Sequence, residues 1–203
     1  MTVSKRLMDI VLALFFSVLL APLIAYVALR ILIADGRPIL YRSERMKSPS
    51  EGFLLWKFRT MTVVDHDSGV SGGDKAARIT PLGARIRRYR ADEMPQLWNI
   101  LRGDISFVGP RPPLRRYVEL CPELYARVLQ SRPGVTGLAT LVFHPTEERL
   151  LTACTSSEET EAVYLRRCVP TKARIDLIYA ARRSLCYDLA LIWDTIARVF
   201  KRR

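Results

Sequence analysis

From Ile10 to Leu29 the chain reads IVLALFFSVLLAPLIAYVAL, a run without a charged side chain. A helix needs roughly 20 such residues to cross the hydrocarbon core of a bilayer, so a membrane helix is predicted here. The run passes directly into RILIADGRPILYRSERM, with no small-residue cleavage site before a polar chain, and so reads as a retained anchor. Pro22 removes one helical hydrogen bond and crowds the preceding turn, which predicts a break or kink between Val18 and Pro22. Two topologies follow: a kinked spanning helix, or a re-entrant helix whose ends return to one side. Lys5 and Arg6 flank one end, and Arg30, Arg37, Arg42 and Arg45 the other, so the positive charges pull both ends toward the cytoplasm.

Beyond the anchor the pattern changes period. GRPILYRSERM and FLLWKFRTM, residues 36–46 and 53–61, are rich in apolar and aromatic positions around a Gly-containing turn and predict a short β-hairpin. VVDHDSGVSGGDKAAR, residues 63–78, is polar and Gly-rich and reads as a mobile loop. TPLGARIRRYRADEMPQLWNILRG is helix-like on both sides of Pro95, SFVGPRPPL and SRPGVTG are turn-rich, and residues 114–130 are helical in pattern. Leu185, Leu189, Ile192, Ile196 and Val199 recur at three- and four-residue steps, an amphipathic closing helix. Core packing is its favoured role; Trp193, Phe200 and the terminal Lys-Arg-Arg also suit a lipid surface.

At 203 residues the chain is long enough for one domain with a buried core. Lys and Arg number 32 against 20 acidic residues, a net charge of +12, which favours polyanionic partners: nucleic acid, phosphorylated small molecules or an anionic membrane. A nucleic-acid binder would leave the apolar anchor unexplained, and no nucleic-acid motif is present, so no nucleic-acid partner is expected. The four cysteines lack a C-x-x-C pair, which points away from zinc and disulfide frameworks. His66 and His144 stand apart from each other and from cysteine pairs, and both read as loop residues rather than metal ligands.

The chemistry concentrates in RADEMPQLWN, residues 90–99, where Asp92 and Glu93 lie among arginines. Neighbouring helical residues point about 100° apart, so the pair is not a facing dyad sharing one proton, and the two carboxylates have different tasks. Arg78, Arg85, Arg87, Arg88 and Arg90 precede them; Arg102, Arg111, Arg115 and Arg116 follow. Guanidinium forks match phosphate oxygens, and a carboxylate held among them with a divalent metal could attack phosphorus. Surface ion pairs that merely offset the arginines are the plainer alternative.

A resemblance enters at these residues. DEMPQLWNILRGDISFVGPRP, residues 92–112, resembles the signature of the monotopic phosphoglycosyl transferases, bacterial enzymes that start glycan assembly on a polyprenyl phosphate. KRLMD at 5–9, KFRTM at 57–61, PGVTG at 133–137 and Asp176 with Tyr179 in RIDLIYA follow in the family's order, so the likeness covers nearly the whole chain. It implies an α+β fold, predominantly helical with a short hairpin, on a monotopic membrane protein with a proline-broken re-entrant helix and amphipathic interfacial helices. Residues 1–35 would be that anchor and 36–203 a catalytic domain on the cytoplasmic face of the bacterial inner membrane. The implied reaction passes a phosphosugar from a UDP-sugar donor to polyprenyl phosphate, giving a polyprenyl-diphosphate sugar and UMP by a ping-pong route. Asp92 matches the nucleophile, and Glu93 beside it helps to bind Mg²⁺, with Asp92, or to position the reacting groups. Arg87 and Arg111 match phosphate-binding arginines, and Asp176 matches a further active-site carboxylate grouped with them. Membrane lipids are partners, and a second copy of the chain is a candidate one.

The chain departs from the family's common pattern at Ala21, where serine is frequent, at Ser43, where glutamine is usual, and at GLAT, residues 137–140. These bear on local packing and donor-sugar selectivity. The acidic stretch EERLLTACTSSEETEA, residues 147–162, carries no catalytic pattern and reads as a solvated cap or a partner-binding segment. The non-enzymatic rival is a membrane-attached interaction protein with a basic lipid-binding face.

Overall fold

The computed structural model describes residues 2–63 and 77–201. The loop expected at 63–78, with His66, lies mostly outside them. The chain opens with α1 (Val3–Ala34), capped by Thr2, whose side chain accepts from the Lys5 amide. The helix runs through Pro22 without the predicted interruption. Packing supplies the reason: Leu20 and Ile24, on either side of the proline, both sit against the core, which offsets the roughly 3 kcal/mol that an interior proline costs. Its inward residues, Ala13, Phe16, Leu20, Ile24, Val27 and Ile31, follow three- and four-residue steps. Leu14, Phe15, Val18, Leu19 and Leu23 on the other side are exposed.

The expected hairpin is β1 (Leu40–Met46) against β2 (Gly52–Phe58), antiparallel from Leu40↔Phe58 to Met46↔Gly52. Asn99 caps the free edge of β2: it accepts from the Trp56 amide at 3.0 Å and donates to the Leu54 carbonyl at 2.8 Å. Backbone groups that an edge strand leaves unpaired are thereby satisfied. Asn99 belongs to α3 (Gln96–Arg102), which follows α2 (Pro81–Arg88) and ends at Gly103, whose φ of 84° is a left-handed helix stop. The last carbonyls of α3 are met from α1: Arg6 donates to Ile100 O at 2.6 Å and Leu101 O at 2.7 Å. Asp9, fully buried, accepts from Ser106 Oγ and the Phe107 amide.

The two turn-rich segments form β3 (Ser106–Val108) and β4 (Gly134–Thr136), a parallel pair in the register Ser106↔Gly134. The helical stretch predicted over 114–130 is divided at Cys121 into α4 (Arg115–Leu120) and α5 (Pro122–Val128), since Pro122 begins a new helix more readily than it continues one. Then come α6 (Leu138–Thr152), α7 (Ser157–Val163), a π-helical turn (Tyr164–Cys168), α8 (Val169–Arg182) and α9 (Leu185–Lys201). Met46, Tyr117, Tyr125, Tyr164, Cys168 and Ala173 form the core of this helical layer. The closing helix packs into the core as favoured: Leu191 is buried with Val108, Leu141 and Tyr179, while Trp193 is 70% exposed.

Candidate active site

The site is built where α2 gives way to α3. Thr80 caps α2 by accepting from the Gly83 amide, Pro81 starts the helix, and its last turn carries Arg87. At Arg90 the backbone turns left-handed, φ 54°, a conformation that costs a non-glycine residue of order 1 kcal/mol or more and persists where its surroundings hold it. One 3-10 turn (Ala91–Glu93) follows, and the reversal lays Arg90 over the pair: its Nη2 and Nε meet Glu93 Oε2 at 2.6 and 3.1 Å. Lys57, from the end of β2, reaches Glu93 Oε1 at 3.0 Å and lies 3.8 Å from Asp92 Oδ2. Arg111 donates to Glu93 Oε1 at 3.2 Å. Arg87 donates to Thr60 Oγ1 at 2.8 Å and bears electrostatically on Asp92.

The two carboxylates consequently differ. Burial opposes ionisation of Glu93, but Lys57, Arg90 and Arg111 overcome it and hold its carboxyl well below the usual range. Burial dominates at Asp92 and raises its carboxyl above the ordinary value, with Lys57 opposing and Glu93 adding to the rise. Burial likewise lowers the Lys57 ammonium from its ordinary value. Glu93 is thus the hub that holds the cations, and Asp92 is the less committed base.

Arg87, Asp92, Glu93 and Arg111 come together; Asp176 does not join them. It lies on α8 in a neighbouring cluster, 6% exposed, with one oxygen lacking a hydrogen-bond partner among the described residues. Burial pushes its carboxyl up to about 7, against the pull of Lys172 and with a contribution from Glu147. Lys172 donates to Glu147 Oε1 at 2.8 Å, and Glu147 acts in turn on Arg111, which links the clusters. Glu147 and His144 lie in α6, correcting both the loop expected for His144 and the wholly solvated cap expected from residue 147. The burial that lowers the imidazole's proton affinity also places His144 within the fields of Arg111 and Arg90.

Sequence reasoning passed over Lys57, Glu147 and Lys172, and named Arg90 only among the flanking arginines. Lys57 stood inside the quoted KFRTM, and a lone basic residue at a strand's end among apolar neighbours was the available signal. No group of three or more His, Cys, Asp or Glu side chains is poised for a metal among the described residues. Both oxygens of Glu93 are engaged by cations, whereas among the described residues Asp92 has its ion-pair neighbour at 3.8 Å.

One apolar helix, long enough to cross a membrane, is joined here to a buried carboxylate pair ringed by cations. The protein's family follows from comparison: a model described as bacterial sugar transferase matches residues 1–202, and the chain belongs to that family, the phosphoglycosyl transferases its motifs resembled. It is 39% identical over 197 residues to a UDP-glucose:undecaprenyl-phosphate glucose-1-phosphate transferase of Caulobacter vibrioides, covering 95% of this chain and 68% of that protein. It is 35% identical over 207 residues to the exopolysaccharide production protein PSS of Rhizobium leguminosarum bv. phaseoli, covering 96% and 94%. With a Klebsiella pneumoniae protein of the same name as the Caulobacter one it shares 32% over 202 residues, 98% of this chain and 40% of that longer protein.

Proposed function

We propose that this protein transfers a sugar phosphate from a UDP-sugar to polyprenyl phosphate of the undecaprenyl type, by two displacements at Asp92. In the first, a carboxylate oxygen of Asp92 attacks the phosphorus next to the sugar, the bond to the UMP phosphate breaks, and UMP leaves. In the second, a phosphate oxygen of the lipid attacks the same phosphorus, the aspartyl bond breaks, and the carboxylate is restored with release of polyprenyl-diphosphate sugar. Dividing the transfer lets a soluble and a lipid substrate use one site in turn.

The observation that carries this reading is the contrast within the carboxylate pair. Glu93 is saturated by Lys57, Arg90 and Arg111, and holds them at fixed positions where phosphate charge develops. Asp92 lies beside that array, and burial makes it the more basic carboxylate, suited to attack. Arg87 and Arg111 orient donor phosphates. Mg²⁺ fits Asp92 with donor phosphate oxygens better than it fits the engaged Glu93, and when bound it would neutralise phosphate charge.

The anchor helix touches the rest of the protein near both of its ends. Arg6 and Asp9 contact α3 and β3, while Asp35, just past its C-terminus, accepts from Thr80 Oγ1 at 3.0 Å. This supports a monotopic arrangement in which α1, unbroken at Pro22, enters the membrane from one side with both ends cytoplasmic, at the inner membrane where a glycan's first lipid-linked sugar is made. Cysteine labelling that placed residue 2 on the periplasmic face would overturn it.

The test of the reaction is UMP release from a panel of UDP-sugars by detergent-solubilised protein with undecaprenyl phosphate and Mg²⁺. Release should need the lipid for turnover and fall by at least about 10³-fold in Asp92→Asn, as when an attacking group is removed. Asp92→Asn turning over like wild type would refute the nucleophile.

A further inference from the structure

We propose that the cleft between α1, α3 and α9 receives the part of the acceptor's isoprenoid chain nearest its phosphate, making the C-terminal helix a wall of the acceptor site. The inference rests on the transfer reaction above and names where its lipid substrate is held. The cleft is a cavity of about 250 Å³. Phe16 and Leu20 of α1, Leu97 and Ile100 of α3, and Ile192 and Ile196 of α9 line it. Arg90 and Glu93 also line it, so a hydrocarbon-lined space opens onto the Glu93 side of the site, one residue from Asp92.

Three features favour an isoprenoid over any other occupant. A nucleotide or sugar needs several convergent polar groups, and the aliphatic and aromatic walls present none along most of the cleft. Branched aliphatic and aromatic walls match methyl-branched hydrocarbon, and the Arg90 guanidinium is complementary to a phosphate attached to it. Beside the cleft, α1 leaves Leu19 and Leu23 exposed, so a chain too long for the cavity can continue along an apolar surface.

The α9 wall is latched in place. Thr195 Oγ1 donates to Leu191 O at 2.7 Å, which commits its one proton; the 2.6 Å contact with Thr136 Oγ1 is therefore donated by Thr136. Both hydroxyls are thus turned into a shared bond, and α9 is tied to β4 across the cleft.

The test is photolabelling in phosphatidylethanolamine and phosphatidylglycerol nanodiscs, using polyprenyl phosphate with a diazirine on the isoprene unit nearest the phosphate. Labelled peptides should come from both α1 (residues 10–24) and α9 (residues 185–198), and unlabelled undecaprenyl phosphate should protect them while extra phosphatidylglycerol should not. Ile196→Trp and Phe16→Trp, which fill the cleft from opposite walls, should each lower labelling and raise KM for undecaprenyl phosphate about tenfold, as expected from losing roughly two buried methylenes of contact. Ala190→Trp, on the exposed side of α9 turned away from Ile192 and Ile196, should label as wild type does. Labelling confined to the outer side of α1, equal protection by phosphatidylglycerol, or full labelling of both folded tryptophan variants would overturn the proposal. Mapping on the wild-type protein decides the matter even where a variant misfolds. Wild-type UMP release, measured in the same nanodiscs, reports the transfer reading separately, because labelling needs no turnover.

Discussion

Replacing Glu93 by glutamine preserves shape and removes the charge that three cations share. The Glu93 side chain is 8% exposed and lies 3.0 Å from Lys57, 3.2 Å from Arg111 and 2.6 Å from Arg90. Breaking one side of a buried ion pair costs about 3–5 kcal/mol. Arg111 and Arg90 are 39% and 25% exposed, so water recovers part of the loss, and about 2–3 kcal/mol is expected here. For a chain of this size each kcal/mol moves Tm by roughly 2–4 °C, so Glu93→Gln should melt about 4–12 °C below wild type at pH 7. The folded-state pKa of Glu93 is depressed, so its contribution is complete above the ordinary glutamate pKa of about 4.3 and fades only as pH falls through the lower folded value. Thermal unfolding in detergent, followed by tryptophan fluorescence from pH 3 to 8, measures both. Equal melting at pH 7, or a gap that widens on acidification, would refute the assignment of Glu93 as the cation hub. Because Glu93 helps to raise the Asp92 carboxyl, the acid limb of the pH–rate profile should move to lower pH in the same variant.

Three further outcomes follow from neighbouring features. The Asp176 carboxyl is raised to about 7 in the fold, so stability from this group is complete below the unfolded pKa and lost as pH rises through 7. Asp176→Asn should therefore gain on wild type by on the order of 4 kcal/mol between pH 4 and pH 8 in chemical denaturation, and a pH-independent difference would contradict its burial as an acid. A Cβ on Gly83 would stand 2.1 Å from the Thr60 carbonyl oxygen, so Gly83→Ala should cost about 1–3 kcal/mol and displace the residue that positions Arg87; an unchanged melting curve would count against that close packing. Lysine lacks the planar fork that lets Arg87 hold Thr60 and still face phosphate, so Arg87→Lys should raise KM for the UDP-sugar about tenfold in the UMP-release assay, and an unaltered KM would remove Arg87 from donor binding.

What the linear pattern disclosed was what depends on near neighbours. The anchor, the hairpin, the helices on both sides of Pro95 and the amphipathic α9 each follow from periodicity or turn chemistry within a dozen residues. The β3–β4 pair escaped because strands of three residues, joined in parallel across two intervening helices, leave no local period. The break offered at Pro22 is absent for a related reason: the proline's cost is local, while the packing of Leu20 and Ile24 that offsets it comes from residues far along the chain. At the site, Asp92, Glu93, Arg87 and Arg111 stood out in one arginine-rich region. Lys57 arrives beside the pair from β2 and Glu147 comes within the field of Arg111 from α6, and only the folded chain brings them there. Asp176 shows the converse, a residue marked by family order whose immediate partners are Lys172 and Glu147.

The hydrogen bonds from Arg6 to the end of α3 bear on how this protein can be handled. Trimming residues 1–35 to obtain a detergent-free enzyme would do more than remove a tether. It would strip the partners from the Ile100 and Leu101 carbonyls, unpair Ser106 and bare the apolar side chains of Leu97, Ile100 and Ile105. A chimaera that borrows a foreign membrane helix would face the same defect unless it reproduced Arg6, Asp9 and the small Ala13. Because α3 begins three residues after Glu93, the long apolar helix is also the brace that sets the pose of the carboxylate pair.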